Sequence, residues 1–210
     1  YPSDSTAVMD AFDTVGIVGA EGSTEPEDLD AVQGEDWIVA INNEDGDNSL
    51  VLVNPTDDTI VNTLTTTQVF TGTGNPISIN SLGTKILFIS SGNDIVGINP
   101  DGSGEINISL YAGLPGIWHS IAIAPDLSKV AATTIAQDST IWIIDLTNLS
   151  NYPIHLYSPT TVEGVNSEVV IYADALDFDP TSTYLIYDAF NRVPQNDGPA
   201  LEYWDVALLD

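Results

Sequence analysis

Three stretches of this chain repeat one pattern, and that repetition narrows the possible folds more than any other feature. Ile77-Ser-Ile-Asn-Ser-Leu-Gly-Thr-Lys-Ile-Leu-Phe88 aligns with Ile121-Ala-Ile-Ala-Pro-Asp-Leu-Ser-Lys-Val-Ala-Ala132 and with Leu176-Asp-Phe-Asp-Pro-Thr-Ser-Thr-Tyr-Leu-Ile-Tyr187. Each copy has an alternating run of strand length, a four-residue turn and a second apolar run. The anchors Ser81, Pro125 and Pro180 stand 44 and 55 residues apart. Gln33 to Val53 fits the same template 48 residues before Ser81, with Gly34-Glu35-Asp36 in the turn. A third strand closes the units at Asn54, Asn99, Asp145 and Asp210.

The individual runs support this division. Trp37 to Ile41, Leu50 to Val53, Lys85 to Ile89, Ile95 to Ile98, Ile121 to Ile123, Lys129 to Ile135, Thr140 to Ile144, Tyr184 to Tyr187 and Tyr203 to Leu209 are short and rich in β-branched and aromatic residues. Asn43-Glu-Asp-Gly46, Ser91-Gly-Asn93, Pro100-Asp-Gly-Ser-Gly104 and Asn196-Asp-Gly198 supply the positive φ of tight turns between them. Only Ser5 to Phe12 carries even a weak helical stripe.

Such a period, with three or four strands per unit, predicts an all-β fold: a β-propeller of four-stranded antiparallel blades, each covering its apolar faces with its neighbours. Four blades are visible, in units of about 33–54, 75–99, 119–145 and 174–210, and residues 1–32 precede them as a segment that can act as a closing or partner strand. The last unit stops at its third strand, and an open arc leaves two edges bare. The remaining blades are therefore expected on another chain or on sequence outside this one. Closure as a small ring and a two-sheet sandwich are the alternatives. The turns Pro125-Asp-Leu-Ser-Lys129 and Asn99-Pro-Asp-Gly-Ser-Gly104, with the strand Thr140-Ile-Trp-Ile-Ile-Asp145, resemble the WD40-like (PD40) repeats of TolB-type propellers over Gln33 to Asp210. Ser81-Leu-Gly and Pro180-Thr-Ser depart from the usual Pro-Asp-Gly turn. The resemblance implies a fold rather than a chemistry.

Charge removes whole classes of partner. The chain has 31 acidic and 3 basic residues, a net charge of −28. Lys85, Lys129 and Arg192 cannot form the basic patch by which nucleic acid or an anionic membrane surface is held. So dense a carboxylate surface suits a high-salt habitat or bound divalent cations. The absence of cysteine excludes disulfides, thiolate metal sites and cysteine nucleophiles. No apolar run approaches the roughly 18 residues of a membrane span, so membrane insertion is not expected. Tyr1 to Asp10 lacks the basic start of a signal peptide. A chain opening on Tyr1 suits a mature exported product, periplasmic or extracellular.

Register nominates the candidate site. Six residues before the anchors stand Asn75, His119 and Asp174, with Glu27 as the first-unit counterpart; three residues before them stand Ser78, Ala122 and Asp177, with Asp30 as the counterpart. Equivalent residues of successive blades ring the central channel, so Glu27, Asn75, His119, Asp174 and Asp177 are candidates for a polar mouth that takes a cation or a small polar ligand, with solvated channel residues as the simpler reading. Asp45, Asp47 and Asn48 partly resemble a calcium loop, and Ca2+ is the one cofactor the residues suggest. The EF-hand spacing and its terminal Glu are missing there, and a solvated hairpin tip competes. Asp174, Asp177, Asp179, Asp188, Glu202 and Asp205 form a second acidic group, suited to Ca2+ or to paired acid and base roles. His119 beside Ser120 invites a nucleophilic reading, but a Gly-x-Ser-x-Gly elbow is missing and adjacent strand residues point to opposite faces. His155 is the only other histidine. Trp37, Trp118, Trp142 and Trp204 are expected between blades, with Trp118 or Trp204 as the one to stand exposed for stacking.

Repeats without a catalytic set place a non-catalytic scaffold or protein-binding module, exported and part of a larger assembly, ahead of two alternatives. One is a hydrolase or lyase subunit using channel-mouth carboxylates. The other is a calcium-stabilised surface or filament protein.

Overall fold

The computed structural model describes residues 37–43, 46, 48–136, 138–156, 169–195 and 197–210. Ser5 to Phe12, the turn at Gly34, Glu27, Asp30, Asp45 and Asp47 lie outside the described residues. The described residues form a β-propeller arc of four antiparallel meanders that follow one another in sequence. Blade 1 contains β1 (Ile38–Asn42), β2 (Ser49–Val53) and β3 (Ile60–Thr65); blade 2 contains β4 (Ile77–Ile79), β5 (Ile86–Ile89), β6 (Ile95–Ile98) and β7 (Ile106–Asn107). Blade 3 contains β8 (Trp118–Ile123), β9 (Lys129–Thr134), β10 (Thr140–Asp145) and β11 (Asn151–His155). Blade 4 contains β12 (Val169–Phe178), β13 (Leu185–Val193) and β14 (Leu201–Leu209). One helical turn, α1 (Ile108–Tyr111), follows β7.

The turns that anchored the repeat are superimposable in their hydrogen bonds. Gly83, Leu127 and Ser182 donate to the carbonyls of Asn80, Ala124 and Asp179 at 2.9, 2.9 and 3.0 Å, and all three sit at positive φ, 67°, 61° and 58°. Glycine adopts that conformation without strain; leucine and serine do so at a cost of about 1 kcal/mol. The turn geometry therefore survives the loss of the Pro-Asp-Gly sequence because the strands on either side impose it.

Three apolar cores lie between consecutive blades. Leu50, Leu52, Ile86 and Phe88 join blades 1 and 2; Leu87, Ile95, Trp118 and Val130 join blades 2 and 3; Ala131, Ile141, Leu185 and Tyr187 join blades 3 and 4. A sandwich would have one core between two sheets, so the serial arrangement excludes it. It also explains the doubly apolar runs: a blade between two others buries both faces, and its strands lose the polar alternation of a solvated sheet. The outer strands β3, β7 and β11 extend the units past the closing residues Asn54, Asn99 and Asp145. They escape the apolar pattern because they are edges; β11 tolerates Pro153 there, opposite Trp142, where a central strand would not.

Thr133 is the misfit in these cores. It occupies the position filled by Ile41 and Ile89 in blades 1 and 2, is 3% exposed, and among the described residues its hydroxyl has no hydrogen-bond partner. Thr133→Val keeps the shape and removes the stranded hydroxyl, so it is expected to stabilise the fold by about 1 kcal/mol. Thermal unfolding should show a rise of about 2–4 °C; an unchanged or lower midpoint would show that the hydroxyl is satisfied.

Candidate functional site

β4, β8 and β12 are the first strands of blades 2, 3 and 4, and they lie side by side. Ile121 N–H donates to the Asn75 carbonyl at 3.0 Å, and Ile123 N–H to Ser78 Oγ at 3.0 Å, lacing β8 to β4 and the segment before it. The register that grouped Asn75 with His119, and Ser78 with its neighbours in blade 3, thus corresponds to adjacent strands.

His119 and Ser120 do not point to opposite faces, contrary to the expectation from strand alternation. The pairs Trp118↔Thr134 and Ser120↔Thr133 leave His119 as an extra residue, a β-bulge that brings its ring to the same side as the serine. Ser120 Oγ lies 3.4 Å from His119 Nδ1 and 3.4 Å from Asp174 Oδ1, and His119 Nδ1 lies 3.3 Å from the same Asp174 oxygen. Asn75 N–H donates to Ser120 Oγ at 3.0 Å, Thr73 Oγ1 lies 3.3 Å from His119 Nε2, and Phe70 meets the imidazole edge to face at 6.2 Å. Gly74 permits this approach: a Cβ there would stand 2.7 Å from His119 Cε1 and 2.8 Å from Ser120 Oγ.

A second bulge supplies Asp174. The β12 register slips between Ala173 and Leu176, and Asp188 Oδ1 accepts the N–H groups of Asp174 and Ala175, each at 2.7 Å. The result is a polar clasp between blades 3 and 4. In a nucleophile–base–acid relay the serine and the carboxylate take opposite ring nitrogens. Here both lie at Nδ1 while Nε2 faces Thr73, so the geometry is that of a joint.

The other candidates disperse. Asp177 is exposed on β12, opposite Ile186. Asn48 sits at φ 45° with its carbonyl accepting Val69 N–H at 2.9 Å. Within the second acidic group, Asp188 fills the bulge, Glu202 pairs with Arg192 at 2.6 Å, Asp205 accepts the Val206 N–H, and Asp179 closes a turn. Among the described residues, no three His, Asp or Glu side chains are grouped to hold a metal ion. The three cations are engaged internally. Lys85 is fully buried and donates to Asn99 Oδ1, burial pulling its pKa down against the pull of Asp101; Lys129 Nζ stands 5.6 Å over the Phe178 ring of the next blade; Arg192 holds Glu202.

Asp179 shows what the turn carboxylates do. The Thr181 hydroxyl first, then the N–H groups of Tyr184, Thr181 and Thr183, hold its pKa down at about 2 from 3.8. Asp57 and Asp145 are lowered chiefly by Thr59 and Thr147 in the same way. A carboxylate with a depressed folded-state pKa contributes stability that is fully present above its unfolded pKa and lost as pH falls through the folded one. Stability is therefore expected to fall between about pH 4 and pH 2, with Asp179→Asn reducing that slope in denaturant titrations at each pH. An unchanged slope would remove Asp179 from the account.

Sequence reasoning named Trp204 as a tryptophan to stand exposed, at 48%, but not the apolar outward face of blade 4 on which it lies. Ile186, Val206 and Leu208 stand exposed there beside a mutually packed trio, Tyr172, Phe190 and Trp204, with ring centroids 5.2–5.4 Å apart. Its signal was present. Leu201-Glu-Tyr-Trp-Asp-Val-Ala-Leu-Leu209 is apolar in both phases of the alternation, as strands buried on both faces are.

No protein-family profile matches the chain, and no curated protein matches its sequence. Among solved structures it is similar to TolB from Acinetobacter baumannii, at 15% identity and a TM-score of 0.48, over 79% of this chain and 39% of that one. It is also similar to the β-propeller domain of Cps50 (Swd1) from Myceliophteria thermophila, at 13% identity and 0.46, over 76% and 53%. A Bacteroides thetaiotaomicron protein of unknown function matches at 9% identity and 0.46, over 81% and 41%. The chain thus spans between 39% and 53% of the length of these structures.

Proposed function

We propose that the chain is a non-catalytic β-propeller scaffold, exported, that binds protein through an open blade face. The observation that carries this reading is the apolar outward face of blade 4, where Val206, Leu208 and Trp204 stand in solvent on regular strands. Contiguous exposed apolar surface of this kind marks an interaction site. The arrangement of His119, Ser120 and Asp174 supports the same reading, because their polar atoms are directed at one another and at Thr73 and Asn75.

The particle purified from its native source is expected to weigh more than the single polypeptide that carries this sequence. It should lose that excess mass when Val206→Asp places a charge on the face. A native particle of one chain, monodisperse and unaffected by the substitution, would overturn the reading.

A further inference from the structure

Blades 2 and 3 hold one pair of residues in two different states. Lys85 and Asn99 occupy in blade 2 the places of Lys129 and Asp145 in blade 3, where the second strand begins and the third ends. In blade 2 the pair is closed: Lys85 is fully buried and donates to Asn99 Oδ1. In blade 3 it is open. Asp145 Oδ1 accepts the Thr147 N–H at 2.8 Å and hydroxyl at 2.5 Å, and its Oδ2 accepts Asn148 Nδ2 at 3.1 Å. Asp126, in the adjoining turn, is taken up in the same way by the N–H and hydroxyl of Ser128, at 3.0 and 2.6 Å. Lys129 is half-buried with its Nζ 5.6 Å from the Phe178 ring centroid, and among the described residues no oxygen accepts a hydrogen bond from it.

Lys129 and Asp145 line a surface cavity of about 180 Å³, together with Ser128, Ile143, Thr147 and Tyr152. The ladders explain why these residues meet. Asp145 pairs with Lys129 and Ile143 with Tyr152, and alternation puts Asp145 and Ile143 on one face of blade 3, the face toward blade 4. The cavity therefore has a cation and an anion on one side and an apolar floor, Ile143 and the half-exposed Tyr152 ring, on the other. β11 leaves blade 3 at His155, opposite Thr140, and β12 enters blade 4 at Val169, opposite Arg192. Both points lie at the far end of the blades from the cavity, whose end is marked by the Asp126 N–H bond to Ser182 Oγ at 3.1 Å.

We propose that this cavity binds a free α-amino acid with an aliphatic side chain. The ligand carboxylate meets Lys129 Nζ, which has donors to give, and its ammonium meets Asp145, whose carboxylate is kept ionised by the Thr147 hydroxyl. The side chain lies on Tyr152 and Ile143. A lone anion would face Asp145 and the net charge of −28, and a lone cation would face Lys129. A zwitterion satisfies both groups and carries no net charge into that field. This site goes beyond the protein-binding reading and does not rest on it.

The test is calorimetry and ligand-observed NMR on the full chain with L-leucine. One ligand per chain is expected, with a dissociation constant between about 0.01 and 1 mM. Isocaproate, which lacks the ammonium, and isoamylamine, which lacks the carboxylate, should each bind at least about 10-fold more weakly to the parent chain. Lys129→Met and Tyr152→Ser should weaken leucine binding to the same degree, while Arg192→Met, which removes the cation paired with Glu202, should leave it unchanged. Circular dichroism of the variants should match the parent. No signal with leucine up to about 10 mM overturns the assignment. So does equal binding of leucine and isocaproate, which needs no variant to fold, or parental affinity in both Lys129→Met and Tyr152→Ser. The mass of the native particle is a separate measurement, so either reading can fail without the other.

Discussion

Trp118→Ala is expected to lower stability by about 4 kcal/mol, a fall in melting temperature of roughly 8–16 °C. Trp118 is 0% exposed at the start of β8, in the core between blades 2 and 3. Its indole N–H donates to the Leu114 carbonyl at 2.9 Å, its ring meets Trp142 edge to face at 6.3 Å, and its backbone joins Asn93 through Trp118 N–H at 3.0 Å and Asn93 Nδ2 at 3.0 Å. Truncation removes the largest side chain of that core, opens a cavity that the sheets of blades 2 and 3 cannot collapse into, and takes away the indole donor to the Leu114 carbonyl. Denaturant unfolding with an unchanged slope would assign the loss to the folded state. A change below about 1 kcal/mol would mean that blades 2 and 3 do not share this core.

Asp94→Ala is the second large effect, about 3 kcal/mol, although Asp94 belongs to no apolar core. One carboxylate oxygen accepts Gly116 N–H at 2.7 Å and the Ser109 hydroxyl at 3.1 Å; the other accepts Asn107 Nδ2 at 3.0 Å. Asp94 thereby ties the α1 turn to blade 2 and to the loop that leads into Trp118. Its loss removes the acceptor of Gly116 N–H and Asn107 Nδ2 and leaves fully buried Ser109, whose Oγ also accepts Ile95 N–H, with Asn107 Oδ1 at 3.1 Å as its acceptor. Asp94→Asn retains part of the set and should fall between parent and alanine variant in the same unfolding assay. Equal loss for both substitutions would trace the effect to charge rather than to the shared acceptor.

Much of the fold was legible because blades repeat. The anchors Ser81, Pro125 and Pro180 mark the same turn, and local hydrogen bonding at Asn80, Ala124 and Asp179 makes that turn readable from a few residues. Edge strands such as β7 and β11 were not legible, since a solvated edge needs no apolar pattern. The meeting of His119, Ser120 and Asp174 was half legible: the period placed His119 and Asp174 at equivalent positions, but the two bulges that turn them toward each other have no signature in a single sequence. Asp94 was invisible among 31 acidic residues, because a carboxylate's role depends on which donors surround it.

Sequence alone determined where the inner strands lie, the turns at Ser81, Pro125 and Pro180 and the number of visible units, because these follow from alternation and backbone conformation, which act within a few residues. Tertiary structure alone decided which acids serve the fold, that His119 and Asp174 form a joint between blades, and that Ile186, Val206 and Leu208 stand exposed on one apolar face of blade 4. Those outcomes depend on contacts between residues tens of positions apart, and burial is a property of neighbours rather than of a residue.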